Sequence, residues 1–175
     1  TYGFSADRTR SVQLALRPPF HTVWKYQARS LIEFPPSIGY GRLFFSTNAG
    51  TFTAISAKTG KRAWKYLAHR CVAASPAIGP HAHGTVYETF LNRPPCNAAN
   101  GGHGVDGEVI AFGVGVGKIH WRHTIGPSES SPLLVGDRLY VGHWNGDVWA
   151  FDANHGNVIL HRHIAHGAIK GALAY

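Results

Sequence analysis

With 175 residues, 44% of them hydrophobic, the chain is long enough for one domain with a real core and too apolar for a disordered tail. Its net charge of +8 favours acidic partners such as an anionic envelope polymer. The charges are scattered, however, and no basic run interleaved with aromatics supports a nucleic-acid groove. No apolar run nears the ~20 residues that span a bilayer, the opening TYGFSADRTR has no apolar signal region, and there is no Met. A processed secreted protein and a piece of a longer chain are both expected to look like this.

The first predicted element is a strand at Thr22-Val23-Trp24-Lys25-Tyr26, spanning about 22–27. From there the chain repeats itself. Pro35-Pro36-Ser37-Ile38 opens a short apolar strand, and Pro is tolerated at the first residue of a strand. Arg42–Ser46 and Thr51–Ile55 follow as strands joined by a Gly-containing turn, and a fourth strand runs through Trp64. The second copy opens at Ser75-Pro76-Ala77-Ile78 and continues through Thr85–Glu88, Glu108–Phe112 and Trp121. The third opens at Ser131-Pro132-Leu133-Leu134 and continues through Arg138–Gly142 and Asp147–Phe151. Lys170-Gly171-Ala172-Leu173 starts a fourth copy, giving a lone strand over about 170–175.

Each copy closes on Ala, then Gly six residues later, then Trp four residues after that. The trios are Ala54, Gly60 and Trp64; Ala111, Gly117 and Trp121; and Ala150, Gly156 and Leu160, where Leu replaces Trp. The openers Pro36, Pro76 and Pro132 are 40 and 56 residues apart, so the period is about 40 with about 16 residues inserted in the second copy. The insertion, roughly 91–106, is rich in Pro, Gly and Asn, which is loop chemistry. Four strands per 40 residues is the arithmetic of a β-propeller blade, and no segment sustains a helical period. The predicted architecture is all-β: a partial propeller of three four-stranded blades at about 35–67, 75–124 and 131–164. An outer strand precedes them and the first strand of a further blade follows.

Two Gly-Lys pairs, Gly60-Lys61 and Gly117-Lys118, suggest a phosphate loop at first sight. Neither lysine is followed by Ser or Thr, no helix follows either, and both fall at the same point of the repeat. A hairpin turn explains both, with Gly60 supplying a positive φ. The 12 histidines include the close sets His81/His83, His120/His123 and His161/His163/His166. Imidazoles two residues apart on a strand can chelate a metal, but no acidic residue or cysteine stands at ligand spacing, so surface histidines and no metal are expected. No nucleophile motif such as Gly-x-Ser-x-Gly occurs.

Glu33 and Glu129 each stand three residues before a copy's opening Pro, with Ala73 at that position in the second copy. Equivalent positions in a propeller share one face near the central channel. There the two carboxylates are either a site for a cation or basic ligand, or solvated loop charges. Cys71 and Cys96 match no zinc or redox spacing. They read as one disulfide formed in an oxidising compartment, pinning the insertion, or as two buried thiols.

The run Ser131-Pro132-Leu133-Leu134-Val135-Gly136-Asp137-Arg138-Leu139-Tyr140, followed by Asn145-Gly146-Asp147-Val148-Trp149-Ala150-Phe151-Asp152, resembles the PQQ-like β-propeller repeat of BamB-like and quinoprotein-like chains. The resemblance covers the chain from about Thr22 onwards. It departs from the pattern at Ser56 and Gly113, where the family often has Asp, and at Leu160. The resemblance implies that Trp24, Trp64 and Trp121 dock each blade on its neighbour. It also implies a ring of more blades than three, closed by the rest of a longer chain or by a second copy. Quinoprotein enzymes of this kind use an adjacent cysteine pair, calcium-binding carboxylates and a catalytic Asp. Cys71 and Cys96 are not adjacent and only nine acidic residues are present, so neither PQQ nor catalytic residues are expected here.

The functional expectation is a non-catalytic binding or scaffold module outside the cytoplasm, engaging a protein or an envelope polymer through its loops. The alternatives are part of a quinoprotein dehydrogenase whose catalytic residues lie elsewhere, and the extracellular sensor domain of a membrane protein.

Overall fold

The computed structural model describes residues 15, 17–94, 96 and 106–175. Among the described residues, twelve strands form three sheets. The first blade holds β1 (Ser37–Gly39), β2 (Arg42–Ser46), β3 (Thr51–Ser56) and β4 (Arg62–Leu67). The second holds β5 (Ala77–Gly79), β6 (Thr85–Phe90), β7 (Glu108–Gly113) and β8 (Ile119–Thr124). The third holds β9 (Leu133–Val135), β10 (Arg138–Gly142), β11 (Asp147–Asp152) and β12 (Val158–His163). Each sheet is an antiparallel meander in chain order. The short first strands lie side by side, β1 against β5 and β5 against β9, so they mark the inner edge of the arc.

The repeated sequence pattern has a local geometry. Ala54 stands opposite Trp64, Ala111 opposite Trp121 and Ala150 opposite Leu160, and each ladder is irregular one residue later. That irregularity is where the tight turn begins. In all three copies the glycine amide bonds back four residues: Gly60 to Ser56, Gly117 to Gly113 and Gly156 to Asp152. The three glycines take φ of 69°, 71° and 79°, a region that costs other L-residues energy.

Two apolar layers join the blades. Phe44, Phe52 and Trp64 of the first blade interlock with Val86, Phe90, Ile110 and Phe112 of the second. Tyr87, Val109, Ala111 and Trp121 of the second meet Leu139, Val141 and Phe151 of the third. Aromatic rings dominate both layers: Trp64 stacks on Phe112 at 6.0 Å and Trp121 on Phe151 at 5.7 Å. Such pairs add to the burial of their area because ring edges and faces carry opposite partial charge.

The strands expected at 22–27 and 170–175 are not ladder strands; both segments are irregular. A strand is defined by its pairing, and neither segment is paired with a strand among the described residues. Both segments are nevertheless held. The Tyr26 ring sits edge-on to Phe45 at 5.7 Å, and Lys170, next to the Ile169 amide that donates to His143 O, pairs with Glu129 at 3.4 Å. The inserted residues at 95 and 97–105 lie outside the described residues.

Candidate functional site

The three tryptophans occupy equivalent positions. The indole N–H of Trp24 donates to Ala57 O (2.9 Å), that of Trp64 to Val114 O (3.0 Å) and that of Trp121 to Ala153 O (3.0 Å). Every acceptor lies in the tight turn of the following blade. A Cβ placed on the turn glycine would sit 2.8 Å from the Trp24 ring at Gly60, 2.7 Å from Trp64 at Gly117 and 2.6 Å from Trp121 at Gly156. The glycine therefore does two things at once: it takes the left-handed conformation and it makes room for the preceding blade's indole. Trp24 makes this contact although its segment belongs to no sheet.

The root of the insertion is heavily braced. Cys71 and Cys96 form a disulfide, with Cα atoms 5.7 Å apart. Cys71 and the end of β6 exchange backbone bonds, Cys71 N to Asn92 O and Leu91 N to Cys71 O. Asn92 is buried, and its side-chain oxygen accepts from the amides of Asp106 (3.1 Å) and Gly107 (2.9 Å), closing the loop across its neck. Arg70 donates to Asp106 O (2.7 Å) and pairs with Glu108 (3.3 Å), while Arg93 pairs with Asp106 (3.3 Å). The corresponding turns in the other blades are short, Thr47 to Thr51 and His143 to Asp147, each closed by two backbone bonds, with Asn145 adding side-chain bonds in the third blade.

Beside this root, two cavities of about 380 Å³ each share Glu33, Phe34 and Glu129 in their walls. One adds Val72, Leu91 and the Cys71–Cys96 bridge; the other adds Ser75, Ser131 and Lys170. The structure thus brings Glu33 and Glu129 to one place, with Ala73 in the wall of the first cavity. Glu33 accepts from the Asn48 amide (3.0 Å), and Glu129 pairs with Lys170 (3.4 Å), whose ammonium lies 4.6 Å from the Trp144 ring.

Two acidic groups, besides Asn92, have roles not visible in the sequence. Glu88 is fully buried between the first two blades, accepting from the Ser46 hydroxyl (2.9 Å) and the Thr89 amide (3.1 Å). Loss of water raises its carboxyl to about 8, against the pull of those two bonds. Its only sequence signal was a lone acid at an apolar β-strand position. Asp147 receives His161 Nε2 at 2.7 Å and His163 Nδ1 at 2.9 Å across β11 and β12, and the Asn145 amide at 2.9 Å. These contacts, His161 first, hold it well below the ordinary carboxylate range. The sequence spacing between Asp147 and the histidines hid a contact that strand register creates.

The histidines are not all at the surface. His81 and His143 are buried, and the half-buried His123 stacks on Phe151 at 5.2 Å, as a flat imidazole can. No group of three or more His, Cys, Asp or Glu among the described residues is arranged to hold a metal.

Three antiparallel four-stranded meanders, docked face to face by tryptophans with their first strands innermost, are blades of a β-propeller. The family model described as outer membrane protein assembly factor BamB, a PQQ-like repeat, matches residues 21–93, from the Trp24 segment to just past the end of β6. No curated protein sequence matches the chain. Among solved structures, BamB from Moraxella catarrhalis superposes with a TM-score of 0.63 at 18% identity, over 81% of this chain and 40% of its own. A quinohemoprotein alcohol dehydrogenase from Pseudomonas putida gives 0.66 at 18% identity, over 83% of this chain and 30% of its own. A europium-containing methanol dehydrogenase gives 0.60 at 20%, over 81% and 26%. At these identities the likeness is one of fold, and the chain spans less than half the length of each relative.

Proposed function

We propose that these blades form a non-catalytic binding or scaffold module that works outside the cytoplasm, with the braced insertion as its binding element. The observation that carries this reading is the neck of the insertion. One disulfide, an asparagine clamp and two arginines hold a loop whose counterparts are short turns. Bracing a loop lowers the entropy lost when it meets a partner, which is what a rigid scaffold supplies to a recognition loop. The disulfide and the BamB-like repeats support an oxidising, extracytoplasmic setting. A protein or an anionic envelope polymer is the expected partner class.

The test is site-specific photo-crosslinking in the secreted protein. A crosslinker within 97–104 is expected to trap a discrete partner, and one at Thr59, on the outer turn of the first blade, is not. Equal labelling from both sites overturns the loop assignment. Two free thiols in non-reducing mass spectrometry overturn the oxidising setting. Alcohol oxidation after adding PQQ and calcium overturns the non-catalytic reading and favours the quinoprotein alternative.

A further inference from the structure

We infer that the cavity between Glu33 and Glu129 recognises a basic side chain, a lysine or arginine presented by a protein partner. The inference rests on the binding-module reading and names the chemistry that one face of it selects.

Two of only nine acidic residues meet here, delivered by loops from the first and third blades of a strongly cationic chain. Among the described residues Glu33 has no cationic partner, and that of Glu129 is exposed enough to be displaced. Glu33 meets a neutral amide, and Glu129 meets a lysine that is 57% exposed. A second, independent feature points the same way. The Ser75 hydroxyl, in a residue only 1% exposed in the wall of the cavity, has no hydrogen-bond partner. A buried hydroxyl left unpaired is costly, and an incoming N–H donor satisfies it. Phe34 and Pro35 line the same cavity with apolar surface suited to the methylene stem of such a side chain.

Lys170 shows the mode of binding from within the chain. Its ammonium reaches Glu129 at 3.4 Å and lies 4.6 Å from the Trp144 ring, pairing a carboxylate with an aromatic face. It stands at the rim and bonds only one of the two carboxylates. A ligand from outside would compete with it and engage both.

The probe is the peptide acetyl-Ala-Lys-Ala-amide, with its arginine and norleucine analogues, titrated into the 175-residue protein and followed by the Trp144 indole resonance. The lysine and arginine peptides are expected to bind saturably and the norleucine peptide not at all. The +8 charge of the chain repels a cationic probe, so saturation reports a local site. Lys170→Ala is expected to tighten binding about fivefold by removing the internal competitor. Glu33→Gln and Glu129→Gln are each expected to weaken it about tenfold. Absence of saturation in both the wild type and Lys170→Ala overturns the inference, as does equal binding of the norleucine peptide. Unchanged binding in both Gln variants overturns it too. The Lys-against-norleucine comparison in the wild type needs no variant to fold. If crosslinks from the insertion persist while the peptides are silent, the cavity assignment falls and the binding-module reading stands.

Discussion

The second and third blades carry nearly the same sequence on their third strands, Val109-Ile110-Ala111-Phe112 against Val148-Trp149-Ala150-Phe151. Their surroundings differ. In the second blade β6 is buried along its whole length and β7 at every residue but Gly113. In the third, Val148 and Trp149 are only half-buried and β12 is exposed except at Leu160. The reason is neighbours. The second blade has a blade packed on each face, and the third has one on a single face. An apolar run on both sides of a strand is thus a statement about stacking, made good only where the stack continues. The same contrast appears in the charges. Glu108 is held by Arg122 at 3.0 Å and by Arg70 from the connection into its blade, whereas Asp147 draws on histidines of its own outer strand.

The largest expected break in this comparison is Trp121→Ala. The indole is buried between two blades, and its loss is expected to cost about 3–5 kcal/mol in urea unfolding. Leu160→Ala, at the equivalent position of the third blade, is expected to cost about 1 kcal/mol, because that side chain has no second wall to leave. Equal costs would show that the third blade is covered in solution.

Replacing both Cys71 and Cys96 by Ala is the next largest. The bridge closes a separation of 25 residues, and its loss is expected to lower stability by about 3 kcal/mol. Hydrogen exchange is expected to rise at the neck of the insertion and to stay unchanged in the third blade.

Glu88 gives the middle blade a distinctive pH response. Its carboxyl is raised from 4.5 to about 8 in the folded chain. Below the lower value it is protonated both folded and unfolded. Between the two, only the unfolded chain ionises, so stability falls as pH rises and levels off above the folded value. Glu88→Gln is expected to remove this slope and to raise stability at pH 8 by about 2–4 kcal/mol, measured by urea titration at pH 5 and pH 8. Parallel pH profiles for wild type and variant would contradict the burial argument.

The smallest effect falls on the third blade. Asp147→Asn is expected to cost about 1 kcal/mol at pH 6 and to fray β12 in exchange experiments. Because the folded carboxyl lies below its ordinary value, this contribution is fully present above the usual carboxylate range near pH 4, begins to fade there and is lost as pH falls on through the lower folded value.

Periodicity made the blades readable. The Ala-Gly-Trp spacing encodes a ladder, a left-handed turn and a wedge, all local to one hairpin or to the turn one repeat on. That is why Trp24 showed itself without a sheet: its partner, Gly60, is defined by the same motif. Glu33 and Glu129 were legible for the same reason, as equal positions in a repeat. Glu88, the Asp147 histidine contacts and Asn92 were not, because each depends on which side of a strand faces which blade.

The sequence by itself determined the repeat, the strand order within each blade, the insertion and the docking tryptophans, since these follow from spacing and from the conformations that Gly and Pro allow. Only the tertiary structure decided which apolar faces are covered and which carboxylate loses its water. It also decided that the strands expected at 22–27 and 170–175 stay out of any ladder. Burial and strand pairing are properties of neighbours, and neighbours many residues away leave no mark in local sequence.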